Sequence, residues 1–172
     1  MCKDKLMIDK ISLLNRWHLK CRRNRFANYS AANHFSKKHN QLGVLSVSIS
    51  AIVGTSVFAS LGKMVEPSVQ ISVGFISLVA AILTALQTFL KYGERSAKHR
   101  LIGARYGALV RQIEILSSNG QQDIDIREIE RMKIDMDEVA EKAPELPEKI
   151  WKHSVDSFPS EELRSIEGDL NS

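Results

Sequence analysis

The sequence predicts an all-α membrane protein: a two-transmembrane helical hairpin with long cytoplasmic helical extensions that assembles into a homo-oligomeric bundle. The main observation is a long segment, residues 39–90, in which Lys63 and Glu66 are the only Lys, Arg, Asp or Glu residues. The rest of a 172-residue chain can hardly cover so many uncharged residues within one soluble domain. A pair of buried core helices in a soluble bundle is the alternative.

Two spans fit within this segment, at residues 39–62 and 68–90, separated by a short external turn at residues 63–67. A helix of 24 residues such as 39–62 reaches about 36 Å, which exceeds the roughly 30 Å of hydrocarbon in a bilayer. Proline is compatible with the first turn of a helix, so Pro67 can lead directly into the second span.

Basic residues flank both spans. Residues 1–38 contain ten basic and two acidic side chains, and residues 91–116 contain six and two. The turn at 63–67 has one of each. Because basic residues accumulate on the cytoplasmic side of membrane proteins, both termini are expected in the cytoplasm.

The first span is semi-polar on more than one side. One of its faces combines hydroxyl and β-branched side chains, and this face is the candidate pore lining: Ser46, Ser50, Val53, Val57 and Ser60. In a narrow pore, Val53 and Val57 would gate by dewetting. The alternative is that the serines bond to their own helix and only pack against a neighbour.

The second span separates large and small side chains. Its large apolar residues suit lipid, and the opposite face is small and weakly polar. This second face is predicted to pack on the first span, because small residues let transmembrane helices approach closely. The predicted hairpin packing residues are Gly74, Ser77, Ala81, Thr84 and Thr88.

The segment after the second span, residues 91–116, has apolar residues at close to heptad spacing, which is typical of a helix that packs on other helices. The predicted oligomer seam comprises Tyr92, His99, Tyr106, Leu109 and Ile113. The remaining segment, 117–172, is acidic, and Asp125 followed by Glu128 predicts the start of another helix.

The basic lead-in, residues 1–38, has two interpretations. It anchors the chain on anionic lipid headgroups, or part of it combines with basic residues after the second span to bind an anionic ligand such as a nucleotide. The candidate contacts are Arg22, Arg23, Arg25, Lys98, Arg100 and Arg105. A membrane-tethered chain is not expected to bind nucleic acid.

The sequence has no recognisable catalytic arrangement. Its five histidines lack metal-site spacing, its two cysteines, Cys2 and Cys21, are far apart, and no glycine-rich phosphate loop occurs. We therefore expect no enzyme activity, no metal and no cofactor.

The layout resembles a known family. A basic, aromatic-dotted helix with the sequence RFANYSAA (25–32) precedes the two spans. Behind them follow ERSAKHR (94–100), GARYGALVRQI (103–113), an acidic helix and APELP (143–147). This arrangement is similar to the SLATT domain, the SMODS- and SLOG-associating two-transmembrane effector domain of bacteria, over roughly residues 10–155.

The resemblance implies an effector of a bacterial conflict system in the inner membrane. Such proteins are encoded beside nucleotide-producing or nucleotide-sensing proteins and are thought to form pores when triggered. The family supplies no catalytic residues to carry over. A holin-like pore protein and a non-pore membrane scaffold that presents a cytoplasmic coiled coil are the alternatives.

Overall fold

A computed structural model describes residues 2–60, 66–118 and 125–157, with side chains from residue 10 onward and none for 59 and 60. Of these residues 93% are helical, and none lies in a strand. The helices are α1 (Cys2–Ser60), α2 (Pro67–Leu90), α3 (Tyr92–Ser118), α4 (Ile126–Glu141) and α5 (Glu148–Asp156). The predicted all-α class is confirmed.

The ends of the helices follow from local chemistry. Pro67 is the first residue of α2, so it belongs to the helix, and the rest of the predicted turn before Glu66 lies outside the described residues. Lys91 has φ 47°, a left-handed conformation that ends α2 and separates it from α3. Asp125 caps α4, because its side chain accepts a hydrogen bond from the Arg127 backbone amide at 3.1 Å.

The chain divides into two compact units. The first, which we call the hairpin unit, comprises Asn33–Ser96. Within it the second half of α1 and α2 run antiparallel, since Gly43 lies beside Gln87 and Ser46 bonds to Thr84. The structure contains two helices that are long and apolar enough to cross a membrane.

Large apolar side chains cover the outside of the hairpin unit. Phe58 is 75% exposed, Ile71 73% and Phe89 83%. Other exposed residues of this kind are Val44, Val47, Ile52, Phe75, Leu78, Ile82 and Leu86. An apolar surface of this extent is unusual on a soluble protein and is typical of a surface that contacts lipid or another protein.

The second unit, which we call the bundle unit, comprises Met1–Ala32 and Ala97–Ser172. Its core joins α1, α3 and α4. The buried residues of this core are Leu14, Cys21, Ile102, Tyr106, Leu109, Val110, Ile113, Met132, Met136 and Val139. Helix α5 lies against α1, where the Arg23 guanidinium sits 4.9 Å from the centre of the Trp151 ring.

Candidate functional site

The two helices of the hairpin unit approach each other through small and hydroxyl-bearing side chains. The hydroxyls of Ser46 and Thr84 lie 2.8 Å apart. A Cβ on Gly43 would come within 3.3 Å of the Gln87 amide nitrogen. The side chain of Ala80 is 8% exposed. Hydrogen bonding together with small residues is the usual way in which helices pack tightly inside a membrane.

Six hydroxyls in the hairpin unit bond to their own helix. Thr55 donates to the Ala51 carbonyl at 2.8 Å, and Ser77 donates to the Val73 carbonyl at 2.8 Å. Ser56, Ser72, Thr84 and Thr88 make the same type of bond four residues back. These bonds satisfy the hydroxyls where no water is present, which a lipid environment requires.

A groove of about 660 Å³ opens between the two helices. Ser50, Val53 and Gly54 line it from α1. Residues from α2 complete the lining: Ser77, Ala80, Ala81, Thr84, Ala85 and Thr88. Its walls are therefore small side chains with a few hydroxyls, a surface that accepts another helix or, in an assembly, water.

The predicted pore-lining residues have different surroundings in the structure. Ser46 is 6% exposed and faces Thr84, so it belongs to the contact between α1 and α2 and not to an open face. Ser50 and Val53 border the groove, and Val57 is 47% exposed. The side chain of Ser60 lies outside the described residues.

The predicted hairpin packing residues also differ in their contacts with α1. Thr84 makes the contact with Ser46, and Ser77, Ala81 and Thr88 line the groove. Gly74 does not pack on α1 within the described part of the chain, because nothing lies within 4 Å of a Cβ placed there. Sequence reasoning missed Gln87, although a glutamine in an apolar span is itself a signal of a helix contact.

The predicted oligomer seam requires a larger correction. His99, Tyr106, Leu109 and Ile113 are between 1% and 5% exposed in a single chain. Tyr106, Leu109 and Ile113 pack with residues of α1 and α4 in the core of the bundle unit, and His99 contacts Asn28 of α1. Tyr92 stacks on Phe35 in the hairpin unit, with ring centres 6.0 Å apart. Four of the five predicted seam residues are thus covered within one chain, and Tyr92 is half-buried.

The six candidate basic contacts have different surroundings. Arg23 stacks on Trp151, and Arg105 borders a groove of about 260 Å³ that Asp135 and Glu138 also line. Arg22, Arg25, Lys98 and Arg100 are exposed. Their exposure is compatible with contact to an anionic ligand or to lipid headgroups.

A polar pair is buried in the bundle unit. His99 and Asn28 are each 2% exposed, and His99 Nδ1 lies 3.0 Å from Asn28 Oδ1. The Asn28 amide nitrogen donates to the Asn24 carbonyl at 2.9 Å. Because the amide oxygen can only accept, His99 must carry its proton on Nδ1.

We expect the His99 pair to make the bundle unit less stable in acid. Burial lowers the pKa of His99 below its ordinary value of 6.5. The unfolded chain therefore binds a proton more readily, and stability present above that pH is lost as the pH falls through 6.5 and below. Thermal melting between pH 7.5 and 5 should show this loss. His99→Gln should reduce it, whereas the same change at exposed His34 should leave it intact.

Two further results bear on the site. Among the residues with described positions, no group of three or more His, Cys, Asp or Glu side chains is placed to hold a metal ion. Comparisons of the chain with protein-family models, with curated proteins and with solved structures give no match.

Proposed function

We propose that the chain is a bacterial membrane effector of a nucleotide-linked anti-phage conflict system, which oligomerises into a pore that depolarises the inner membrane on activation. The observation that carries the membrane part is the exposed apolar surface of both helices of the hairpin unit, Phe58, Ile71 and Phe89 included. The defence role is supported by the resemblance of the flanking segments to the SLATT domain.

The pore would form where several hairpin units meet. The groove lined by Ser50 and Val53 offers a small, weakly polar surface that lipid does not favour. Rings of Val53 and Val57 in such an assembly would keep a narrow channel dry until activation widens it. The proposed mechanism is therefore gating by dewetting, without catalysis, metal or cofactor.

The trigger is proposed to be a nucleotide ligand, or a protein that makes or senses one. Arg22, Arg25, Lys98 and Arg100 are exposed on α1 and α3, and guanidinium groups suit phosphate recognition. The same groups would also hold anionic lipid headgroups.

A non-pore membrane scaffold is the second candidate. It is favoured by the hydroxyls of Thr55, Ser56, Ser72 and Thr88, which are satisfied by their own helices and need no water. On this reading the hairpin anchors the bundle unit, which recruits a partner.

Valine substitutions separate the two candidates. We expect Val53→Ser and Val57→Ser to depolarise growing cells without a trigger, because each added hydroxyl lowers the barrier to wetting. Leu86→Val, at a 42% exposed position on α2, should be silent. A potential-sensitive dye, read after induction, measures the effect. If both serine variants reach the membrane and leave its potential unchanged, the scaffold is favoured and the pore proposal fails.

A further inference from the structure

Helix α3 has a second apolar face, which is exposed. Leu101 is 55% exposed and Ile115 is 58% exposed. With alanines and one arginine they form a row spaced alternately by four and three residues: Ala97, Leu101, Ala104, Ala108, Arg111 and Ile115. We call this row the outer face. Heptad spacing of this kind is the pattern by which helices of separate chains pair.

Helix α1 lies on one side of the outer face. A Cβ on Gly103 would come within 3.3 Å of the Tyr29 ring, and one on Gly107 would come within 3.4 Å of Arg25 Cδ. At the far end of the contact, His18 Nε2 lies 3.1 Å from Glu114 Oε1. These contacts are all at positions beside the outer face, so α1 borders it without covering it.

Helix α4 lies on the other side. Asp135 and Glu138 share one groove with Ala108 and its neighbours, and Glu128 and Asp135 share the next with Ile115. Leu101, Ala104 and Ile115 nevertheless stay exposed. The outer face is thus a ridge between two helices of the bundle unit.

The two borders differ in charge. On the α1 side, Arg25 and Arg111 reach the same glycine, Gly107, with Arg25 Cδ at 3.4 Å and Arg111 Nη1 at 3.8 Å from its added Cβ. On the α4 side, Asp135 and Glu138 lie at the same height along α3, together with Arg105. At this level two arginines lie on the α1 border, whereas the α4 border carries two carboxylates beside Arg105, with Lys142 bonded to Glu138.

We propose that the outer face binds the outer face of a second copy of this chain, with the two α3 helices parallel. A parallel pair, related by an axis along the helices, places the arginine border of each copy against the carboxylate border of the other. An antiparallel pair would place arginines against arginines, which opposes association. The alanines of the row let the two helices approach closely.

This proposal deepens the oligomer part of the proposed function and is independent of whether a pore forms. The pairing would bring together the bundle units of two chains, at a site distinct from the groove of the hairpin unit. One stripe of α3 is buried within the chain, and a second heptad pattern lies on its opposite side. The proposed pairing gives this second pattern a partner.

Disulfide crosslinking tests the pairing and its direction. In a Cys2→Ser background, Leu101→Cys and Ala108→Cys are made separately in the full chain and oxidised in cell membranes; Cys21 is fully buried and is retained. In a parallel pair each position meets its own copy, so most of each variant should shift to a dimer band. Ala140→Cys, exposed on α4 away from the outer face, is the control and should stay monomeric.

A charge exchange tests the borders. Two double variants are made in the Ala108→Cys chain, Arg25→Glu/Arg111→Glu and Asp135→Lys/Glu138→Lys. Each alone should lose the crosslink, because its two borders then repel those of its copy. Co-expression of the two should restore the crosslink, because each border again meets one of opposite charge. If Leu101→Cys crosslinks only to a co-expressed Ala108→Cys chain, the pair is antiparallel and the proposal is wrong. The proposal is also wrong if the dimer yield of each variant is no higher than that of Ala140→Cys. Sedimentation of the same variants with membranes tests separately whether the chain is a membrane protein, as the proposed function requires.

Discussion

Replacing Ile113 with aspartate is expected to unfold the bundle unit. Ile113 is 1% exposed and lies in the core that joins α1, α3 and α4. Truncating such a residue to alanine costs about 2–5 kcal/mol, and an unpaired buried carboxylate adds a further desolvation cost. A domain with a total stability of about 5–15 kcal/mol does not withstand much more than this.

The same substitution at Ile134 is the matched control. Ile134 is 65% exposed on α4, so aspartate there stays in water and should change stability by no more than about 0.5 kcal/mol. Limited proteolysis and thermal melting in mild detergent measure both variants. Equal stability of the two would mean that the apolar stripe of α3 is not buried within one chain.

The second large effect is expected in the membrane. Ile82→Arg places a charge in the middle of α2, where the native side chain is 51% exposed on the apolar surface of the hairpin unit. An arginine at the centre of a transmembrane helix costs about 2.5–3.5 kcal/mol on insertion scales, whereas isoleucine is favourable. Most of the variant should therefore fail to insert and should be degraded or extracted by carbonate.

Ile134→Arg, on α4, is the control for this change, because its position is exposed outside the two spans. It should remain with the membrane fraction like the wild type. If Ile82→Arg floats with membranes as fully as Ile134→Arg does, α2 does not cross the bilayer, and the apolar surface has another occupant.

The helical class and the two long apolar helices could be predicted from the sequence because they depend on local composition. A long segment with only two charged residues between basic flanks is compatible with few kinds of fold. The structure confirms the helical class and the two long apolar helices. The heptad stripe of α3 likewise identified buried residues, including Leu109 and Ile113. These predictions rest on periodicity, which follows directly from the geometry of a helix.

The partner of a buried stripe could not be predicted. The spacing of Tyr106, Leu109 and Ile113 is the same whether a second chain or another helix of the same chain covers it. In the structure Leu14, Met132 and Met136 cover it from α1 and α4. The spacing alone therefore predicts an oligomer seam, although other helices of the same chain cover these three residues.

The same limit applies to the hairpin. A helical wheel places Ser46 and Ser50 on one face but does not say which neighbour each meets. The structure pairs Ser46 with Thr84 and leaves Ser50 in the groove. Gly74 shows the converse, since a small residue on the predicted packing face contacts no described residue of α1. Only the relative position of the helices distinguishes these residues.

The burial of Cys21 decides which thiols can report on topology. Cys21 is fully buried, and burial raises the pKa of its thiol to about 11, so it resists labelling on either side of a membrane. Introduced cysteines in a Cys2→Ser background are the better reporters. Position 64 belongs to the predicted external turn and lies outside the described residues, and Ser117 is exposed at the end of α3.

Labelling of these two cysteines tests the central claim, a two-span hairpin with both ends in the cytoplasm, most directly. A membrane-impermeant maleimide on intact cells should modify Met64→Cys and spare Ser117→Cys. After permeabilisation it should modify both. Modification of Ser117→Cys in intact cells, or protection of Met64→Cys until the membrane is opened, would contradict the predicted topology.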